Sequence, residues 1–203
     1  MSKFNENNGV LIQGHIKIHD PESGAVFVNK RNAIHYENMS IALAESVANQ
    51  GQGFINSMAF GNGGTSVDPT GIITYLTPNS TGTNASLYNQ TYSKVVDDRS
   101  VTNLDPQRNK IETRHVNGTN YTDVLVTCLL DYGEPNGQDA VDQASQANSL
   151  YVFDELGLVS YSPNGTGKLL THVVFHPVQK SLNRLVQIDY TVRVQSLTGF
   201  NEG

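Results

Sequence analysis

Short segments of alternating polarity, each closed off by Gly, Asn, Asp or Pro, recur along almost the whole chain and leave room for one helix. Over residues 10–19, Ile12, Gly14, Ile16 and Ile18 alternate with Gln13, His15, Lys17 and His19, the period of a half-buried strand. Asp20-Pro21-Glu22-Ser23-Gly24 supplies a turn, and residues 25–28 return as the second arm of a hairpin. Residues 54–60, 72–76 and 91–96 read as further short strands. Two stretches dense in Gly, Asn, Thr and Pro, residues 61–71 and 77–89, separate them. Residues 110–116 and 121–130 form a hairpin around Asn117-Gly118, a pair that tolerates the positive φ of such turns. Residues 150–159, 168–178 and 185–194 complete a set of about ten strands.

One segment has another period. Between about 34 and 49, Met39, Ala42, Leu43, Ser46 and Val47 recur at spacings of three and four, Ala44 and Ala48 favour helix, and Gly51 stands where it would stop. This spacing predicts a helix that buries its Leu43 side against the sheet. With no repeated βαβ pattern, internal repeat, linker or shift in composition, the chain reads as one mainly β domain over residues 1–203. The expected architecture is an antiparallel β-sandwich or barrel-like fold of about ten strands with one α-helix packed against it. Residues 133–148 stand apart as a long acidic loop with almost no large apolar residue, carrying a short helical turn around 139–147.

Composition narrows the function classes. The apolar runs are far shorter than the roughly 20 residues a membrane-spanning helix requires, which argues against a membrane protein. The polar amino terminus matches neither a signal nor a transit peptide, so synthesis in the cytoplasm is expected. Thirteen Lys and Arg against nineteen Asp and Glu, without a basic cluster, give no footprint for holding nucleic acid by its phosphates. Charged residues make up 16% of the chain, and their place is taken by 21 Asn, 32 Ser and Thr and 18 Gly. Such a neutral polar surface costs less to desolvate than one of Lys and Glu, which suits a surface that is covered on assembly. Turn-rich β proteins share the same composition.

The sequence meets no motif for catalysis or metal binding. His15 with His19, and His172 with His176, have four-residue spacing, but on strands that sets the members of each pair roughly 13 Å apart, too far for one metal ion. Each pair reads as part of a polar sheet face. Cys128 lies in the apolar run 124–130 and reads as a small buried thiol. The glycine-rich Gly61-Asn62-Gly63-Gly64-Thr65 lacks the lysine of a phosphate-cradling loop and reads as a turn. Asp97-Asp98 and the pair Asp131 and Glu134 are the closest approach to clustered carboxylates, and they read as solvated loop ends. Tyr92, Tyr151 and Tyr190 sit inside apolar strand patterns and are expected in the core or on a sheet face. No catalytic residue, metal or cofactor is expected.

Several stretches carry a resemblance. The runs at 32–39 (Asn-Ala-Ile-His-Tyr-Glu-Asn-Met), 59–65 (Ala-Phe-Gly-Asn-Gly-Gly-Thr) and 87–98 (Leu-Tyr-Asn-Gln-Thr-Tyr-Ser-Lys-Val-Val-Asp-Asp), with Leu169 to His172 and Phe175-His176-Pro177, span most of the chain. Together they resemble uncharacterised virion structural proteins of tailed bacteriophages, marine and cyanobacterial myoviruses included. The resemblance implies a non-enzymatic structural subunit, located in the virion, of a tail, neck or baseplate ring. Its expected partners are copies of itself and other virion proteins. Loops 61–89 and 133–148 are then the candidates for copy-to-copy contacts, through Asn62, Thr65, Asp68, Asn79 and Tyr88 in the first and Glu134, Asn136, Asp139 and Asp142 in the second. A net charge of -6 would keep DNA from adhering were the subunit to line a channel. A capsid decoration or cement protein is the nearest alternative, and a carbohydrate-binding adhesin module the more remote one.

Overall fold

A computed structural model of the protein describes residues 9–135, 150–165 and 167–197. Alternation over the first segment becomes strand β1 (Gly9–His19), with Ile16 and Ile18 fully buried. The return strand β2 (Val26–Ile34) runs well beyond the residues the turn signal marks. Its polar stretch Asn29 to Asn32 pairs with β1 through the backbone, which is indifferent to side-chain composition. Next come helix α1 (Tyr36–Val47), β3 (Ile55–Gly61), and a small hairpin of β4 (Thr65–Val67) and β5 (Ile73–Tyr75). Strands β6 (Gln90–Val95), β7 (Lys110–His115), β8 (Tyr121–Leu130), β9 (Leu150–Ser160), β10 (Thr171–Ser181) and β11 (Val186–Leu197) follow. Among the described residues, the expected mainly β, antiparallel architecture with one helix is what the structure has. Strand β4 falls inside a stretch read as turn, because three residues carry too little periodicity to register.

Nine strands form one antiparallel sheet in the order β6-β3-β9-β10-β2-β1-β11-β8-β7. Strands β6 and β7 are neighbours in sequence but lie at opposite edges of that sheet, so the segment 96–109 can join them only if the sheet curls. Side chains complete the approach. Lys94 Nζ on β6 donates to the carbonyl of Leu129 on β8 at 2.7 Å, and Asn109 Oδ1 accepts from Leu129 N at 2.9 Å. The result is a barrel-like fold around a single main core. Phe153 sits within that core, edge-on to Phe60 at 5.4 Å and to Phe175 at 5.7 Å, and stacked on Tyr151 at 5.6 Å. Cys128 is fully buried, and burial pushes its thiol up to about 12. Among the described residues no helix is long and apolar enough to cross a membrane.

The helix departs from expectation in the side it buries. His35 is the N-cap, its Nδ1 accepting from Asn38 N at 3.2 Å. His35 N donates to Leu170 O and Asn38 Nδ2 to Leu169 O, both at 2.9 Å. These bonds tie the first turn to the chain entering β10 and set the rotation of the helix. Asn38, Met39 and Ala42 therefore face inward, while Leu43 is 37% exposed and Val47 is 88% exposed. Asn49, in the left-handed region at φ 53°, ends the helix just ahead of Gly51. Replacing Leu43 with Asp is thus expected to cost only about 1 kcal/mol. Met39→Asp, by burying an unpaired carboxylate, should unfold the protein, and thermal melts of the two variants would separate the inward from the outward side.

Candidate assembly surface

The segment from β3 to β6 does not extend away from the barrel. It lies on the outer wall, and two consecutive acidic residues hold it there. Tyr151 and Phe153 on β9 belong to the core, and so do Leu156 and Leu158, so the inward parity of the strand changes between 153 and 156. The change removes both Asp154 and Glu155 from the core. Strand β10 absorbs the mismatch with a bulge: Val174 pairs with Glu155 and Val178 with Phe153, leaving Phe175, His176 and Pro177 between them. Pro177 is tolerated at this point because a bulged residue owes the ladder no N–H.

Both carboxylates are buried and saturated. Asp154 accepts from Gly64 N and Thr65 N, each at 2.9 Å, and from the Thr65 hydroxyl. Glu155 Oε1 accepts from Asn89 N at 2.8 Å and Gly63 N at 3.1 Å, and its Oε2 from Tyr88 N and His172 Nε2, each at 2.9 Å. Glycine is required where the backbone comes this close. A Cβ on Gly61 would lie 2.5 Å from both Asn89 O and Glu155 Oε1, and one on Gly63 would lie 2.8 Å from Asn89 N. Burial alone would raise the Glu155 carboxyl, but the bond from His172 and the three backbone N–H groups outweigh it and hold the group below the ordinary glutamate value. Leu87 packs with Ala59 and Leu169 in a second, smaller apolar cluster that seats the far end of the segment.

A buried His–Glu pair invites a catalytic reading, and the geometry speaks against one here. His172 Nδ1 accepts from Asn79 N at 2.8 Å while Nε2–H donates to Glu155. The ring has no lone pair left with which to take a proton, and both side chains are sealed from solvent. The expectation that His172 lies on a polar sheet face is corrected: it points away from the core but is covered by residues 79–88, the Tyr88 ring lying 5.6 Å from its own. His176, beyond it on β10, is exposed and meets the Tyr75 hydroxyl at 3.3 Å.

The described residues proposed as assembly contacts turn out to be engaged within the chain. Asn62 Oδ1 accepts from Asn89 Nδ2 at 2.6 Å, and Thr65 is held by Asp154. Asp68 closes its own turn, accepting from Thr70 N at 2.8 Å and Ile72 N at 3.0 Å. Asn79 Nδ2 reaches Ser86 O at 2.8 Å, and the Tyr88 hydroxyl donates to Thr77 O at 2.5 Å. Glu134 pairs with Lys94 and accepts from Asp131 N at 2.8 Å, while Asp131 pairs with Arg108. Asn136, Asp139 and Asp142, with the helical turn expected around 139–147, lie outside the described residues. Among the described residues no group of three His, Cys, Asp or Glu is placed to hold a metal ion.

Among the residues this segment leaves exposed are four large apolar ones. Val67 is 63%, Ile72 is 64% and Tyr75 is 50% exposed on the β4–β5 hairpin, with Leu76 exposed beside them. The polar residues expected as contacts serve as the frame, and the large side chains open to a neighbour include Val67, Ile72, Tyr75 and Leu76. Asp154 and Glu155, the residues that hold the frame, carry a signal in the sequence: two acidic residues inside the apolar run 150–159 must find partners if the run is buried.

Fold and site together define an antiparallel, barrel-like β domain with a hairpin clamped to its outer wall. No family model, no curated protein and no solved structure matches the chain.

Proposed function

We propose that this protein is a non-enzymatic structural component of a tailed phage virion, a subunit of a tail, neck or baseplate ring that meets neighbouring copies through the β4–β5 hairpin. One observation carries the reading: Val67, Ile72, Tyr75 and Leu76 stand exposed on a hairpin that buried carboxylates hold in place. Large apolar side chains exposed on a fixed frame suit a surface that a neighbour covers, because the frame lowers the entropy lost on covering it. The low charged fraction and the sequence resemblance point the same way.

The test is a double variant, Val67→Ser with Ile72→Ser. Both side chains are exposed, so the thermal midpoint should stay close to that of the parent, while oligomer formation by light scattering should weaken at least tenfold, a total loss of roughly 1.4 kcal/mol. Unchanged oligomers would remove the hairpin from the interface. Counting copies in purified particles places the subunit: tens fit a tail or neck ring, hundreds on the head would make it a decoration protein, and absence from particles would sink the virion reading.

A further inference from the structure

Over other strands of the sheet, the outward faces of β2, β1, β11, β8 and β7 enclose a groove of about 590 Å³ that neither the hairpin nor the core accounts for. Its charge runs against that of the chain. The protein carries a net charge of -6 and six arginines, yet three of those arginines, Arg31, Arg114 and Arg193, line this groove together with His15. Strand register explains the convergence. His15 on β1 pairs with Arg31 on β2 and with Thr191 on β11. One row over, Gln13, Arg193, Asp123 and Arg114 stand in succession across β1, β11, β8 and β7.

The three arginines are not equivalent. Arg193 is fixed in place, forked onto Asp123 at 2.7 and 2.9 Å with its guanidinium 3.8 Å from the Tyr121 ring centroid. Arg31 and Arg114 are exposed and neither forms a salt bridge or side-chain hydrogen bond with any described residue, though Arg114, opposite Asp123, acts on its carboxylate through space. They flank the fixed centre from opposite ends of a span of five strands, about 19 Å at ~4.8 Å per strand. A guanidinium offers two parallel donors to a carboxylate, and here two such forks are left unused.

We propose that this groove binds an acidic oligosaccharide, a sugar chain whose carboxylates pair with Arg31 and Arg114. The inference is independent of the virion reading. Between the two guanidiniums lie the Gln13 amide and the Thr191 hydroxyl, neutral groups that match sugar hydroxyls. A single small anion would leave most of the span empty. Nucleic acid fits poorly, because Arg193 already covers the Tyr121 ring on which a base would stack.

Calorimetric titration of the whole protein tests it, using tetragalacturonate and a disialylated oligosaccharide as probes. Controls are the same sugars with their carboxyl groups reduced to alcohols, and inorganic phosphate. Saturable binding of an acidic sugar is expected, weakened about tenfold or more by Arg31→Ala or by Arg114→Ala, each removing one charge-assisted pair. Neither side chain supports the fold, so circular dichroism of both variants should match the parent. The proposal is overturned if neither acidic sugar binds, if the reduced sugars or phosphate bind equally well, or if both variants bind like the parent. None of those results alters whether the protein is incorporated into particles, so the two readings fail separately.

Discussion

Replacing Glu155 with Ala should lower the unfolding free energy by at least about 4 kcal/mol, because it strands four buried donors at about 1–3 kcal/mol each. The substitution leaves His172 Nε2–H and the N–H groups of Gly63, Tyr88 and Asn89 without their acceptor, in a place sealed from water. For a chain of this size each kcal/mol moves the melting midpoint by roughly 2–4 °C, so a drop on the order of 10 °C is expected. Acid should act on the same group. The folded Glu155 carboxyl lies below the ordinary glutamate value of 4.5, so its contribution is fully present above that value and is lost as pH falls through the lower folded one. Urea melts at neutral pH and in acid below 4.5 would show the parent losing more stability than Glu155→Ala, which has no carboxylate to protonate. A variant as stable as the parent at neutral pH would mean the clamp contributes nothing.

Phe153→Ala should cost a similar amount, about 3–5 kcal/mol, for a different reason. Its ring is fully buried and meets Phe60 on β3, Tyr151 on β9 and Phe175 on β10, so truncation opens a cavity that these rings cannot fill without leaving their positions. Phe153→Leu retains most of the volume and should cost less than about 1.5 kcal/mol. One main core spans the barrel, so the transition should stay cooperative in both variants, with the denaturant midpoint moving and its slope unchanged. A biphasic melt would show instead that the barrel unfolds in parts.

Element types were legible where the side chains repeat with a period. The alternation around Ile16 and Ile18 marked β1, the Asn117-Gly118 pair marked the β7–β8 hairpin, and Met39 with Ala42 marked the helix. Buried Tyr151 and Tyr190 and the buried thiol of Cys128 followed from their apolar neighbours. Long-range partners left no such trace. That His172 is covered depends on residues 79–88 crossing it, nearly a hundred positions away in sequence, and the exposure of Leu43 depends on bonds from His35 and Asn38 to the entrance of β10. The basic groove was invisible for the same reason. Its arginines are scattered from Arg31 to Arg193 and form no cluster until strand register sets them side by side.

Periodicity and turn chemistry are local properties, and from them the chain by itself determined a mainly β, antiparallel fold with a single helix. Which polar groups are sealed inside, which apolar groups stay outside, and where the arginines converge was decided only by the tertiary structure. The physical cause is that desolvation and charge pairing act through space: a carboxylate such as Glu155 acquires its role from the four donors that reach it, and three of those sit in segments far from it along the chain.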